Sequence, residues 1–350
     1  MLLTPGPVEV LPELMPTTEM IHHRGVKFAA FYKSLTEKLR VLSGAENAVI
    51  LSGSGTLANE AMLSSLRMKK VLVASNGEFG RRLREISRIY SDTDLVEFAE
   101  GTGINYKRLS EKANLEMYDA IALVENETST ACLNDVKGIS SHFSGKTFVD
   151  SVSAWPVSRI GCNSVSMFTT CSQKCLGIPS GLSFVFLDGP ASEEILQNGN
   201  EANYYANLRK YLLRYSEKMQ TPFTPAITLL MSLDKSLDKI SEIGIEKFRQ
   251  KHKQASEKIR KRILKLGYRL MGEEGFHSDT VVGLVCRDGS QRDMIKAALA
   301  NEGFHVAGGK GVFSENGLRI GVMGFFDEAK IDAFLDKLEE ISFNYTISVG

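Results

Sequence analysis

Residues 169–186 read TTCSQKCLGIPSGLSFVF. One lysine, Lys174, stands here between an apolar run, 165–168, and a turn marked by Gly177, Pro179 and Gly181. A second β-like run, 182–186, follows the turn, and from Ser166 to Phe186 no other residue is charged. Two readings fit a lone charge in that place. The ammonium snorkels to water from the mouth of a loop, or a partly desolvated amine is kept reactive for covalent chemistry, since burial lowers a lysine's pKa.

Working outward, short apolar or β-branched runs recur at 48–51, 71–74, 120–124 and 147–149, with helix-like patterns between several of them, as at 80–89. That alternation predicts an α/β fold with a mostly parallel sheet between helices. From about Glu201 long helices take over, and 245–265 spreads apolar residues at helical spacing through dense charge. A smaller α/β unit follows, with strands expected near 280–285 and 318–322 and helices near 291–301 and 327–341. The 350 residues suggest about two domains.

Composition narrows the function classes. Forty-two basic and 42 acidic side chains cancel, and no basic stripe marks a nucleic-acid partner. Cys171 and Cys175 are close, but with Cys132, Cys162 and Cys286 they complete no zinc pattern, and reduced thiols in a cytoplasmic protein are expected. The opening MLLTPGPVEV lacks the basic and apolar regions of a signal peptide. No apolar run reaches membrane-spanning length, so a soluble protein without a membrane partner is expected.

Open α/β sheets bind ligands at the carboxyl ends of their strands. Behind the first run lies SGSGT (52–56), whose glycines let backbone N–H groups approach an anion at a helix start. Behind the second lies SNGEF (75–79), bringing an aromatic residue, and behind the third ENETST (125–130), bringing hydroxyls. Asp150 ends the fourth and Lys174 follows the fifth. Singly, these are also an ordinary turn, a core phenylalanine and helix caps. Together they are what pyridoxal 5′-phosphate requires: a phosphate cradle, a stacking face, a carboxylate for the pyridine nitrogen and an amine for the aldehyde.

With these motifs the chain resembles the class V aminotransferases of fold type I, the group of alanine–glyoxylate, serine–pyruvate and 2-aminoethylphosphonate transaminases. The resemblance runs from LLTPGP through IHHRG, SGSGT, SNGEFG, ENETST and VDSVSAWP to SQKCLGIPSG, TPFTP and LRIGVMG. It implies Lys174 as the Schiff-base lysine and Asp150 as partner of the pyridinium nitrogen. Phe79 matches the stacking aromatic and Thr128 a hydroxyl near the ring. Ser54, Gly55, Thr56 and Gln173 match phosphate contacts, and Thr224 the contact to the neighbouring subunit's phosphate. Arg319 matches the fork onto the substrate α-carboxylate, and Gly6 falls in the segment expected to line the substrate pocket. The implied division is a site-lining segment 1–15, a large cofactor-binding domain 16–240 and a small domain 241–350, in a homodimer with shared active sites.

The implied activity moves an amino group from a small amino acid, alanine or serine, to a 2-oxo acid such as glyoxylate or pyruvate by ping-pong kinetics. A 2-aminoethylphosphonate–pyruvate transaminase is the alternative. A cysteine desulfurase would call for a histidine before the lysine and a cysteine in the 306–317 loop, where Gln173 and VAGGKGVFSENG stand instead. A binding protein on an old transaminase fold would have lost Lys174 or Asp150. Ala131 and Ser180 replace a glycine and a proline common in the family, which bears on loop geometry. IHHRG reads as structural or entrance-lining.

Overall fold

Side chains alternate strictly along the central strands: Val71 and Val73 bury on one face, Leu72 and Ala74 on the other. The computed structural model in which this is seen describes residues 1–18 and 20–349, with 344–349 as backbone alone. Among the described residues the main sheet has seven strands: β1 (Asn47–Ser52), β2 (Lys70–Ser75), β3 (Asp92–Glu97), β4 (Ala120–Val124), β5 (Lys146–Asp150), β6 (Met167–Cys171) and β7 (Leu182–Leu187). Their order is β1-β7-β6-β5-β4-β2-β3. Only β7 runs against its neighbours; the pairs from β6 through β3 are parallel. The six remaining strands therefore present their carboxyl ends along one edge.

Helices cover both faces, which is why the inner strands read as nearly unbroken apolar runs. One face packs on α1 (Val26–Ser43) and α4 (Ile227–Ile243) through Phe28, Leu35, Leu230 and Leu233. The other packs on α2 (Gly55–Ser64) and α3 (Glu78–Tyr90) through Ala58, Met62, Leu83 and Ile86.

A second sheet is built from β8 (Arg269–Leu270), β9 (Val281–Val285), β10 (His305–Gly308), β11 (Gly317–Gly321) and the first strand of the chain, Leu2–Leu3. It packs on α5 (Ile245–Lys265), α6 (Gly289–Asn301) and α7 (Glu328–Val349) through Ile259, Ile295 and Phe334. Leu2–Leu3 pairs in parallel with His305–Val306. The chain then crosses to the main sheet, where the Val8 amide donates to the Gln173 carbonyl at 3.2 Å. Gly321 makes that crossing possible, because a Cβ there would fall 2.0 Å from the Thr4 carbonyl oxygen.

Ala131 has φ +56°, the left-handed conformation that glycine adopts freely. The loop geometry expected of a glycine is thus kept, at about 1–2 kcal/mol of backbone strain. Among the described residues no helix is long and apolar enough to cross a membrane.

Candidate active site

Lys174 sits in the turn after β6. Ser172 pins that turn to β7, its hydroxyl accepting from the Leu182 amide at 3.1 Å and donating to the Pro179 carbonyl at 2.7 Å. The lysine is partly buried, and its Nζ donates to the Pro5 carbonyl. Gly6 lies directly on it: a Cβ there would come within 2.5 Å of Cδ and 2.7 Å of Cε and Nζ. Burial holds the Lys174 pKa below the ordinary lysine value, and the nearby Arg319 charge adds to the depression. Asp150 and the thiols of Cys171 and Cys175 oppose it, but burial pushes Cys171 up to about 12 and Cys175 further, so both are neutral near pH 7. The result is an amine held closer to its neutral, nucleophilic form.

Asp150 closes β5 and is buried. Its Oδ1 accepts from the Val152 amide at 2.9 Å and its Oδ2 from Asn59 Nδ2 at 2.7 Å. Asn59 is oriented in turn by the Thr169 hydroxyl, 2.5 Å from its Oδ1. Burial raises the Asp150 pKa, while these donors, Lys174 and Arg82 pull it down. A cationic ring nitrogen placed against this carboxyl would oppose the burial cost in the same way.

Behind Asp150 lies a second buried acid. Glu125 Oε2 accepts from the hydroxyls of Ser151 and, at 3.0 Å, of Ser158. Burial pushes its carboxyl up to about 7 from an ordinary 4.5, with the Asp150 charge adding to the rise. Unfolded Glu125 ionises near 4.5 while folded Glu125 keeps its proton to about 7, so unfolding releases a proton in that window and stability falls as pH rises through it. At roughly 1.4 kcal/mol per unit this amounts to about 3 kcal/mol. Between pH 4.5 and 7 the wild type is expected to lose about that much more stability than Glu125→Gln, by urea denaturation. Equal losses would show that Glu125 does not titrate there.

Phe79 lies in the first turn of α3, partly buried rather than in the core. Arg82 Cζ and Lys310 Nζ each stand 5.1 Å from its ring centroid. Glu127 fixes this helix start, its Oε2 accepting from the Phe79 and Gly80 amides at 3.0 Å each and its Oε1 from the Ser129 amide and hydroxyl. Next to it, the buried Thr128 offers its carbonyl to Arg319 Nη1 at 3.2 Å. Arg319 Nε donates to the Gly308 carbonyl at 2.8 Å. Among the described residues no carboxylate forms an ion pair with this buried guanidinium.

At the start of α2, Ser54 and Thr56 are exposed and Ser54 makes no side-chain cap. The Leu57 amide of the first turn donates to the Ser54 carbonyl at 2.9 Å, and a helix start without a side-chain cap favours an anion. Gly55 is required by packing, since a Cβ would fall 2.7 Å from Val152 Cγ2 beside Asp150. Gln173 Oε1 lies 3.4 Å from the Ser172 hydroxyl. Thr224 stands apart: it is exposed, with its hydroxyl 3.3 Å from His23 Nε2. Arg24 ties IHHRG to TPFTP through the Thr221 and Pro222 carbonyls.

The structure thus links Gly6, Asp150, Lys174 and Arg319 directly or through their charges, and Phe79 and Thr128 through Glu127. Sequence reasoning missed Asn59, Glu125 and Lys310, while the capping role weighed for 125–130 falls to Glu127, at the start of α3. Asn59 had a signal: it lies four residues after Gly55, on the same helical face. The donor set fits pyridoxal 5′-phosphate, with an amine of lowered pKa, a braced carboxyl, a half-open aromatic face and an uncapped helix start.

Comparison with known proteins agrees. The family described as Aminotransferase class-V matches residues 15–334. An uncharacterised aminotransferase of Methanocaldococcus jannaschii is 30% identical, over 97% of this chain and 91% of its own length. Alanine–glyoxylate aminotransferase 1 of Saccharomyces cerevisiae is 28% identical, over 92% and 91%. The crystal structure of a subgroup IV aspartate aminotransferase from Thermus thermophilus superposes with a TM-score of 0.88 at 25% identity, covering 98% of this chain and 99% of that one. By its family match and its site, the chain belongs to the class V aminotransferases, pyridoxal-phosphate enzymes of fold type I.

Proposed function

We propose that the protein transfers an amino group from a small amino acid, alanine or serine, to a 2-oxo acid such as glyoxylate or pyruvate. The observation that carries the reading is Arg319: a buried guanidinium held by two carbonyls, in no ion pair among the described residues, with the charge of the helix-capping Glu127 acting on it and its own charge reaching Lys174. Such a fork suits the α-carboxylate common to both substrates. Relatives named for alanine and glyoxylate support the same pair.

Bound here, pyridoxal 5′-phosphate supplies the electron sink that acidifies the substrate Cα–H. Lys174 would hold it covalently, Asp150 at its ring nitrogen, Phe79 and Thr128 at its ring, and Ser54, Gly55, Thr56 and Gln173 at its phosphate. Arg319 then orients the substrate so that its Cα–H faces the Lys174 amine, whose depressed pKa suits it to take that proton and return it. Asp150 keeps a fixed negative charge in place, braced by Asn59 and the Val152 amide. Because donor and acceptor share Arg319, the first keto acid leaves before the second binds, and kinetics are ping-pong.

In the same reading the enzyme is a cytoplasmic homodimer in which the exposed Thr224 serves the neighbouring subunit's phosphate cradle. The test is a screen of alanine, serine, glycine and 2-aminoethylphosphonate against glyoxylate and pyruvate. Alanine or serine with glyoxylate is expected to give glycine and the matching keto acid. Turnover of 2-aminoethylphosphonate alone, a donor without a carboxylate for Arg319, would replace this reading with the phosphonate one.

A further inference from the structure

Two cations overhang the Phe79 ring; the Arg82 charge also acts on Asp150, but aminotransfer between small amino acids leaves Lys310 without a role. Lys310 and Arg82 approach the ring centroid equally closely, at 5.1 Å. Lys310 is partly buried, and among the described residues neither cation belongs to an ion pair. The placement of Lys310 is anchored. Its loop docks on Glu100 through the Val312 amide, which donates to Oε2 at 2.8 Å, and the hairpin itself is closed by the Gly309 amide donating to the Gly317 carbonyl at 2.7 Å. Gly311 has φ +55°, and a Cβ there would overlap Glu100 Oε2.

Arg319 rides on the same hairpin: it pairs with Ala307 across β10 and β11 and bonds the Gly308 carbonyl, two residues before Lys310. A substrate α-carboxylate balances the Arg319 charge, Arg82 acts on Asp150, and Lys310 is left unmatched. The nearby acids are already committed. Glu127 holds the α3 amides and Ser129, and Glu100 holds Arg81 and the Val312 amide.

We infer that Lys310, with Arg82 beside it, reads a second anionic group on one of the enzyme's two substrates: an amino acid or oxo acid bearing an ω-carboxylate or a phosphoryl group. This rests on the aminotransferase reading of the site. Carboxylate and phosphoryl oxygens offer the ammonium the same charge-assisted bonds, so the experiment separates them. Holoenzyme is assayed with aspartate, glutamate and O-phosphoserine, each beside its neutral counterpart asparagine, glutamine or serine, with alanine as reference donor.

At least one anionic donor should exceed its neutral counterpart in kcat/KM by roughly tenfold or more, mainly through KM. Lys310→Gln should remove about tenfold of that preference and Lys310→Arg should restore it. By calorimetry on the holoenzyme, succinate should bind correspondingly more weakly to Lys310→Gln than to wild type, with propionate as baseline. The inference is overturned if alanine reacts but no anionic donor is preferred, or if the preference survives Lys310→Gln. It is also overturned if Lys310→Gln chiefly weakens cofactor affinity in a spectral titration, which would make Lys310 a cofactor ligand. If no amino acid reacts at all, the aminotransferase reading itself fails, a result distinct from the others.

Discussion

Lys174→Ala is expected to reduce aminotransfer by at least about ten-thousandfold, since one amine provides both the covalent attachment and the proton transfer. The fold should survive. The lysine is partly buried, its hydrogen bond to the Pro5 carbonyl is worth on the order of 1 kcal/mol, and its removal also relieves a desolvated charge. Circular dichroism and thermal melting should therefore remain close to wild type while turnover disappears. Borohydride reduction of the wild-type holoenzyme followed by peptide mapping should fix the cofactor on Lys174. An adduct on any other lysine would move the attachment point and overturn the assignment.

Asp150→Asn should retain the cofactor but slow the alanine half-reaction by roughly a hundred- to a thousandfold, the range for losing one preorganised electrostatic group. The mechanism is specific to this site. Asp150 accepts from Asn59 and the Val152 amide on separate oxygens, whereas asparagine has one acceptor and no charge. The amide therefore fills the space without holding a cationic ring nitrogen. Single-turnover absorbance with alanine distinguishes the outcomes: a rate within a few-fold of wild type would exclude the role given to Asp150.

Much of the candidate site was legible because it lies on strand ends. Parallel strands covered on both faces appear in sequence as short apolar runs, and the residues behind them fall on one edge whatever the helices between them do. SGSGT, SNGEF, ENETST, Asp150 and Lys174 were found that way. β3, DTDLVE, was not read as a strand because it is the sheet's edge and keeps polar side chains partly in water. Glu127 looked like one polar residue among six, because its role is to cap a helix 48 positions earlier in the chain. Lys310 gave no local sign either: its meaning comes from a contact with Phe79, far away in the chain, which no spacing rule encodes.

The crossing strand at the start of the chain leaves little slack in the molecule. Leu3 is paired to Val306 in the small sheet, and two residues later the Pro5 carbonyl is on the Lys174 amine. Two residues of fully extended chain span about 7 Å. Gly6 then rests on the lysine stem, and Val8 is hydrogen-bonded to Gln173. The tether has to come taut after a displacement of only a few ångströms. Any wider swing of the small sheet must either unpair Leu3 or lift Pro5 off the amine, so the hairpin bearing Arg319 and Lys310 is geared to the freedom of Lys174.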